Sequence, residues 1–129
     1  IAYDEIHEAH ILTLLATAEV SMENVDIYIA PTDDFWVRDN GPIFVYDSEA
    51  TLTILDWGFN GWGGNTPFEL CDVIPDSVAE FLQVPIIDLS AMVLEGGAFE
   101  IDGHGTLMAT RTSITGADRN PDLSESEIE

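Results

Sequence analysis

The sequence has no lysine and only three arginines, and this scarcity of positive charge restricts the partners it can have. Against these stand 25 aspartates and glutamates, so the formal net charge is −22. Nucleic acids and anionic membranes would be repelled by such a chain. We therefore expect no nucleic-acid partner and no membrane partner, and the charge favours a small cationic substrate.

Cysteine and long apolar runs are scarce as well. The single cysteine, Cys71, excludes an internal disulfide and is typical of a reducing compartment such as the cytoplasm. No apolar run approaches the roughly 18 residues of a membrane span, and no signal peptide is visible. The chain starts at Ile1 without a methionine and ends in a helix-like acidic segment, so we expect both ends to be cut from a longer protein.

The acidic residues are spread along the whole chain. Their mutual repulsion should destabilise the compact state in dilute buffer, and concentrated salt would screen it. This pattern is typical of proteins from the cytoplasm of a halophilic microbe. The alternative is a mesophilic protein whose acidic surface serves solubility.

The length and composition predict one globular unit of mixed α/β structure. The 129 residues are 46% hydrophobic, which is enough to bury a core. Periodicity and turn signals predict alternating helices and strands. The predicted helices are residues 4–18 and 77–83, the second capped by Ser77, with a third opening near the end of the chain; the predicted strands are 25–29, 43–46, 51–55, 85–89 (buried), 98–101 and 106–110.

Two loop segments stand out from this background. Residues 31–42 combine three carboxylates, one arginine and two aromatics before Gly41-Pro42, which indicates either a rigid corner or a site. Residues 56–65 contain four glycines, two tryptophans and a phenylalanine, so the backbone can approach another group closely between aromatic walls. The glycine spacing matches neither a phosphate loop nor a dinucleotide fingerprint.

Four motifs follow one another along the chain: Trp-Val-Arg-Asp-Asn-Gly-Pro at 36–42, Asp-Trp-Gly-Phe-Asn-Gly-Trp-Gly-Gly at 56–64, Leu-Glu-Gly-Gly at 94–97 and Arg-Asn-Pro at 119–121. In this order they resemble the agmatine deiminase branch of the bacterial peptidylarginine-deiminase-like family. The resemblance runs from about residue 24 to residue 129 and covers well under half of a typical member. It implies part of a pentein propeller, about two of its five ββαβ modules, with residues 1–129 as a single partial domain.

The chemistry that this resemblance implies is hydrolysis of a guanidinium group to a urea. A cysteine thiolate attacks the guanidine carbon, ammonia leaves, and water releases the product with a histidine as acid and base. No cofactor and no metal are implied. Neither Cys71 nor His104 matches the family's catalytic positions, so we assign no catalytic residue in this chain and expect the chain alone to be inactive.

The resemblance also assigns residues that bind the substrate. Asp39 matches the family's substrate-binding aspartate, whose oxygens accept paired N–H donors from a guanidinium, and Trp36 matches the aromatic residue that flanks the substrate. Glu95, Asn60 and Trp62 are further candidates. The structural alternatives are an ion pair between Asp39 and Arg38, backbone N–H bonds to Glu95, and core packing of Trp62.

The loop at 60–65 bears on the choice of substrate. Relatives that act on peptidyl-arginine place arginines there for the substrate carboxylate, and this chain has none, which favours agmatine. The remaining alternatives are a protein-arginine deiminase and a non-catalytic module that binds guanidinium compounds or self-assembles. Exposed strand edges of a partial propeller predict a homo-oligomer.

Overall fold

The computed structural model describes residues 1–128, and the chain forms two compact units, Ile1–Thr32 and Asp33–Glu129. The first unit contains helix α1 (Glu5–Thr17), so the helix predicted at 4–18 is confirmed. The strand predicted at 25–29 is wrong: only an isolated parallel bridge joins Ile29 to Ala2. Alternation alone does not make a strand when no ladder of partner residues runs beside it.

The second unit combines five strands with short helices. Its elements confirm the predicted hairpins at 43–55 and 98–110 and the helix near the end of the chain. In chain order they are α2 (Val37–Asn40), β1 (Ile43–Tyr46), β2 (Leu52–Gly58), an irregular turn α3 (Gly61–Gly64), α4 (Glu69–Asp72), α5 (Ile74–Leu82), β3 (Ile86–Val93), a 3-10 turn η1 (Gly96–Ala98), β4 (Phe99–Ile101), β5 (Leu107–Ala109), α6 (Arg111–Thr115) and α7 (Glu125–Ile128).

Strands β1, β2 and β3 form one sheet with β2 in the middle. The hairpin β1–β2 is antiparallel, with Ile43 opposite Leu55, and β3 lies parallel to β2 after the helices α4 and α5. This order, two strands, a helical crossover and a third strand, is one ββαβ module. Strand β2 runs three residues beyond its predicted end because its pairing with β3 continues to Gly58.

Gly58 marks an irregularity in that pairing. The register between β2 and β3 shifts between Trp57 and Gly58. A Cβ at position 58 would lie 2.7 Å from the Ser90 carbonyl oxygen, which is closer than real side chains approach. Glycine is therefore required where the two backbones converge.

Helix α5 begins earlier than its sequence signal indicates. It starts at Ile74 with Pro75 in its first turn, so Ser77 lies inside the helix and donates its hydroxyl to the Val73 carbonyl at 3.2 Å. The prediction that Ser77 caps the helix is wrong, because proline is well suited to the first turn and moves the start upstream. The helix ends as Gln83 adopts a left-handed conformation with φ of 55°.

The prediction of a buried strand at 85–89 is right about the strand and wrong about its burial. Ile86 and Ile87 are 37% and 46% exposed. Strand β3 is an edge strand of the three-stranded sheet, so it has a strand neighbour on one side only. The core lies instead between the sheet and α4 and α5, at Ile54, Cys71 and Ile74.

The hairpin β4–β5 turns through Asp102-Gly103-His104-Gly105. The Asp102 carboxylate accepts the backbone N–H groups of His104 and Thr106 at 2.7 and 3.0 Å, which confirms His104 as a turn residue. Within residues 1–128, no helix is long and apolar enough to cross a bilayer.

Candidate functional site

The short helix α2 carries Asp39 and is fixed at both ends. Upstream, the Asp33 carboxylate accepts the Leu70 backbone N–H at 2.8 Å, which ties the segment to α4. Downstream, the Gly41 N–H donates to the Val37 carbonyl at 3.0 Å and closes the helix. These two contacts hold residues 33–41 in one conformation, which fixes Asp39 in place.

The glycine pair at 96–97 lets the turn η1 lie directly against α2. A Cβ at Gly96 would collide with the Arg38 carbonyl oxygen, and a Cβ at Gly97 would collide with the Asp39 carboxylate. The turn is closed by the Ala98 N–H, which donates to the Glu95 carbonyl at 2.8 Å. Glycine at both positions therefore allows Glu95 and Asp39 to face the same cavity.

That cavity, here called the Asp39 pocket, has a volume of about 170 Å³. It brings together three of the five residues predicted to bind substrate and adds one charged residue that was not predicted, Arg119. Its lining residues are Asp39, Trp62, Glu95, Gly97, Ala98, Ser113 and Arg119.

Asp39 is held by a tryptophan and not by the neighbouring arginine. Its Oδ2 accepts the Trp62 indole N–H at 3.1 Å. The ion pairs among residues 1–128 do not include one between Arg38 and Asp39, so the structural salt bridge considered for Asp39 is not formed. Because each carboxylate oxygen has two lone pairs, Asp39 keeps acceptor capacity toward the pocket.

Trp62 reaches Asp39 through a strained turn. Its φ is 56°, and it stands between Gly61 and Gly63, whose φ angles are 64° and 86°. The indole packs edge-on against Phe59, with ring centroids 5.1 Å apart. A left-handed conformation is unfavourable for a bulky residue, so this turn is maintained by its surroundings.

Asn60 supplies part of that support and does not line the Asp39 pocket. Its side-chain oxygen accepts the Gly63 N–H at 2.8 Å, and its amide donates to the Asp118 carbonyl at 2.9 Å. Trp36 does not line the pocket either. It is 52% exposed and lies against Phe35, with ring centroids 4.7 Å apart.

Glu95 is only 4% exposed and forms an ion pair with Arg119. The Glu95 Oε1 and Arg119 Nε atoms are 2.5 Å apart, without the alignment of a hydrogen bond, so the attraction is chiefly electrostatic. The terminal Nη1 of Arg119 also lies 2.9 Å from the Asp118 carboxylate. Burying Glu95 is tolerable because the guanidinium offsets the cost of desolvating its charge.

Arg119 is the residue that sequence reasoning missed. Its motif, Arg-Asn-Pro, served only as a mark of family resemblance. Two signals could have found it: the chain has just three arginines, and a glutamate in the predicted site needs a cation once it is buried.

Asn120 fixes Arg119 relative to the end of β3. Its amide donates to the Val93 and Ile114 carbonyls at 2.9 and 2.8 Å, and its oxygen accepts the Val93 N–H at 2.8 Å. Val93 lies two residues before Glu95. The two partners of the ion pair are therefore positioned by one buried side chain.

The pocket has two carboxylates and one guanidinium, which leaves one negative charge to bind a cation. Neither Cys71 nor His104 lines it; Cys71 is fully buried on α4, with its sulfur 3.9 Å from the Asp34 carbonyl oxygen. In the described part of the chain, no three histidine, cysteine or acidic side chains are grouped so that they could hold a metal ion. The arrangement can bind and orient a planar cation.

Comparison with solved structures confirms the class of fold, a mixed α/β fold that forms part of a pentein propeller. The agmatine deiminase of Enterococcus faecalis superposes with a TM-score of 0.77 at 32% identity, covering 89% of this chain and 33% of that one. A structure described as a candidate agmatine deiminase superposes with a TM-score of 0.87 at 29% identity, covering 96% of this chain and 34% of that one.

The chain belongs to the Porphyromonas-type peptidyl-arginine deiminase family, whose model matches residues 2–129. Among curated relatives, agmatine deiminase from Pseudomonas aeruginosa is 37% identical over 119 residues, which is 88% of this chain and 32% of the relative. Agmatine deiminase from Pseudomonas syringae is 35% identical over the same share of each chain. The chain thus spans about a third of the length of these relatives.

Proposed function

We propose that this chain contributes the guanidinium-binding wall of an agmatine deiminase, an enzyme that hydrolyses agmatine to N-carbamoylputrescine and ammonia. The observation that carries the proposal is the Asp39 carboxylate, held by the Trp62 indole beside a buried Glu95 that Arg119 already neutralises. The agmatine deiminases among the relatives support it.

Asp39 binds the substrate in this proposal. A guanidinium presents paired N–H donors, and a carboxylate accepts two of them in one plane. The Trp62 N–H fixes the orientation of Oδ2, so the paired acceptors are arranged before the substrate arrives. Trp36, with half of its surface exposed, is proposed to pack on the substrate's cation or its alkyl stem from outside the pocket.

The reaction itself uses groups that this chain is proposed not to supply. A cysteine thiolate attacks the guanidine carbon, ammonia leaves after protonation by a histidine, and water then releases the urea product and restores the thiolate. Binding at Asp39 holds the cation in one orientation for that attack. The chain alone should bind agmatine and leave it unchanged.

The lack of a free basic side chain at the pocket favours agmatine over substrates that carry a carboxylate. Arg119 is the one basic side chain lining the Asp39 pocket, and it already lies against Glu95 and Asp118. The adjacent loop offers Gly63 and Gly64 in place of basic residues. A carboxylate on arginine or peptidyl-arginine would therefore find no free positive partner here.

Substrate turnover tests this proposal. Agmatine, L-arginine and a peptidyl-arginine analogue are incubated in molar salt with this chain and with a full-length protein that contains it, and released ammonia is measured. We expect agmatine alone to be hydrolysed, and only by the full-length protein. Preferred hydrolysis of the peptidyl-arginine analogue would establish a protein-arginine deiminase instead. Agmatine binding without turnover by both proteins would establish a non-catalytic binding module.

The charge supports a further part of the proposal, a halophilic cytoplasmic origin. No lysine and a net charge of −22 predict that the free energy of unfolding rises with salt. Denaturant unfolding at low and molar potassium chloride measures this directly. Equal stability at both concentrations would contradict the halophilic origin.

Strands β1 and β3 form the two edges of the three-stranded sheet. Because free strand edges pair readily, we propose that the protein forms a homo-oligomer through them. Light scattering coupled to size-exclusion chromatography in molar salt measures its mass. A monomeric mass at high protein concentration would contradict the oligomer.

A further inference from the structure

A second cavity of about 240 Å³ carries an excess of negative charge that nothing in the proposed reaction uses. It is called here the Asp56 cavity. Four carboxylates surround it, and none of its lining residues is basic. Its lining residues are Asp56, Asp72, Val73, Asp76, Ile86, Asp88 and Ser90. It shares no lining residue with the Asp39 pocket.

Asp56 is the unusual member of this group. It lies on the central strand β2, is 8% exposed and faces Asp88 across the parallel register with β3. No described residue donates a hydrogen bond to its carboxylate or forms an ion pair with it. The side chain is largely withdrawn from water and has no donor or counter-ion, so a positively charged group in the cavity would offset the cost of its desolvation.

The other three carboxylates of the cavity differ in their hydrogen bonds and in their exposure. Asp72 accepts the Phe59 backbone N–H at 2.6 Å, and Asp88 accepts the hydroxyl and N–H of Ser90 at 2.6 and 3.0 Å. These contacts fix two of the carboxylates in position. Asp76 stands in the first turn of α5 and is exposed.

The chemistry of the cavity defines the class of ligand. An anion is excluded by the four carboxylates, and the side chains of the described residues are not grouped so that three could hold a bare metal ion. A volume of about 240 Å³ has room for several heavy atoms, since one water occupies about 30 Å³ of liquid. Val73 and Ile86 add partly exposed apolar walls that suit an alkyl chain.

We propose that the Asp56 cavity binds an aliphatic diamine or polyamine, with one ammonium group donating to Asp56 and a second to Asp76 or Asp88. Two ammonium groups offset more of the local charge than one, and the methylene groups between them pack against Val73 and Ile86. The site is separate from the proposed deiminase site, so it can be tested without turnover.

The charge on Asp56 gives the binding a pH dependence. Burial, followed by repulsion from Asp76, Asp72 and Asp88, raises the pKa of Asp56 to about 6. The carboxylate is therefore chiefly ionised at pH 7, where it attracts an ammonium group. Below about pH 6 it becomes neutral, and binding should weaken.

Calorimetric titration of the chain with 1,4-diaminobutane at constant ionic strength tests the proposal, with n-butylamine and magnesium chloride as comparison ligands. We expect saturable 1:1 binding, with the diamine about tenfold or more tighter than the monoamine, a difference of about 1.4 kcal/mol. Equal affinity for the diamine and the monoamine would overturn the proposal. So would an equal response to magnesium, which would indicate general screening of an acidic surface.

Variants locate the binding. Asp56→Asn should weaken diamine binding about tenfold or more, whereas Glu49→Gln, an exposed turn residue with the same change of charge, should leave it unchanged. Asp39→Asn should also leave it unchanged, which separates this site from the proposed substrate site. If Asp56→Asn does not fold, the double variant Asp76→Asn/Asp88→Asn, which removes both exposed carboxylates proposed for the second ammonium group, is used with the same expectation. Unchanged diamine affinity in the folded variant would overturn the proposal.

Discussion

The Asp39 pocket and the Asp56 cavity are both lined by carboxylates, but only the first contains a cation. In the Asp39 pocket, Arg119 neutralises Glu95 and leaves the Asp39 carboxylate without a cation. In the Asp56 cavity, four carboxylates face one another without any basic lining residue. The chain has only three basic residues against 25 acidic ones, yet one of the three lies beside a buried glutamate. The overall composition therefore does not predict the balance of charge at a particular site.

Because of this difference, we expect the two acidic groups to respond differently when one charge is removed. Removing a charge from a balanced pair leaves its partner buried and unpaired, which is destabilising. Removing a charge from an unbalanced cluster relieves repulsion, which is stabilising in the absence of ligand. Substitutions at Arg119 and at Asp56 test the two sides of this comparison.

The largest effect is expected for Arg119→Met, which leaves Glu95 buried without a cation. The free energy of unfolding should fall by about 3–5 kcal/mol, measured by denaturant unfolding in molar salt. Arg111→Met is the matched control, because the Arg111–Glu125 pair is exposed on both sides and should cost only about 0–1 kcal/mol. Adding Glu95→Gln to Arg119→Met should recover much of the lost stability. Equal losses in the two arginine variants would contradict the buried ion pair.

Asp39→Asn should have the next largest effect, on activity and not on stability. Loss of a charged acceptor costs about 2–3 kcal/mol of substrate interaction, so kcat/KM for agmatine should fall about 30- to 150-fold in a full-length protein that contains this chain. The asparagine oxygen still accepts the Trp62 N–H, so the unfolding midpoint should hardly change. Asp122→Asn, on an exposed residue, is the control. An unfolded Asp39→Asn variant whose folded fraction works normally would assign Asp39 a structural role.

Asp56→Asn should stabilise the unliganded chain at pH 7. The pKa of Asp56 is about 6 in the folded state against an ordinary value of 3.8, so the folded chain binds more protons than the unfolded chain between these values. Stability is therefore lost as pH rises from about 4 to 6. The variant should lack this loss and gain about 1–2 kcal/mol at pH 7, after allowance for solvent in the cavity.

Thermal unfolding of Asp56→Asn between pH 4 and pH 7 measures this gain. Glu49→Gln is the control, because it removes the same single negative charge. Glu49 is exposed on the β1–β2 turn, so its removal should leave the pH dependence unchanged. A variant that is less stable than the parent chain at pH 7 would show that Asp56 has a favourable partner in the folded state.

Local signals predicted much of the fold. The Asp-Gly turn predicted the β4–β5 hairpin, and two β-rich runs joined by a short turn predicted β1 and its hairpin with β2. Both depend on interactions between residues close in sequence. The prediction of a strand at 25–29 was wrong because no partner strand pairs with these residues beyond one isolated bridge. The prediction that Ser77 caps a helix was wrong because the helix begins upstream, with Pro75 in its first turn.

The candidate site was predictable only in part. Motif resemblance placed Asp39, Trp62 and Glu95 among the candidates, and these three share a pocket. It gave no indication that Asn60 supports the loop from outside the pocket or that Arg119 neutralises Glu95. Periodicity carries no information about such long-range pairs, and burial of a charge is a property of the packed chain.

The smallest effect is expected for Trp62→Phe, which removes the indole N–H from Asp39 and keeps an aromatic ring beside Phe59. Loss of this hydrogen bond should cost about 0.5–1.5 kcal/mol, so KM for agmatine should rise about 2- to 12-fold with little change in kcat. Trp57→Phe, on β2 and outside the pocket, is the matched control and should leave KM unchanged. A loss as large as that of Asp39→Asn would mean that the Trp62 ring contacts the substrate directly, in addition to orienting the carboxylate.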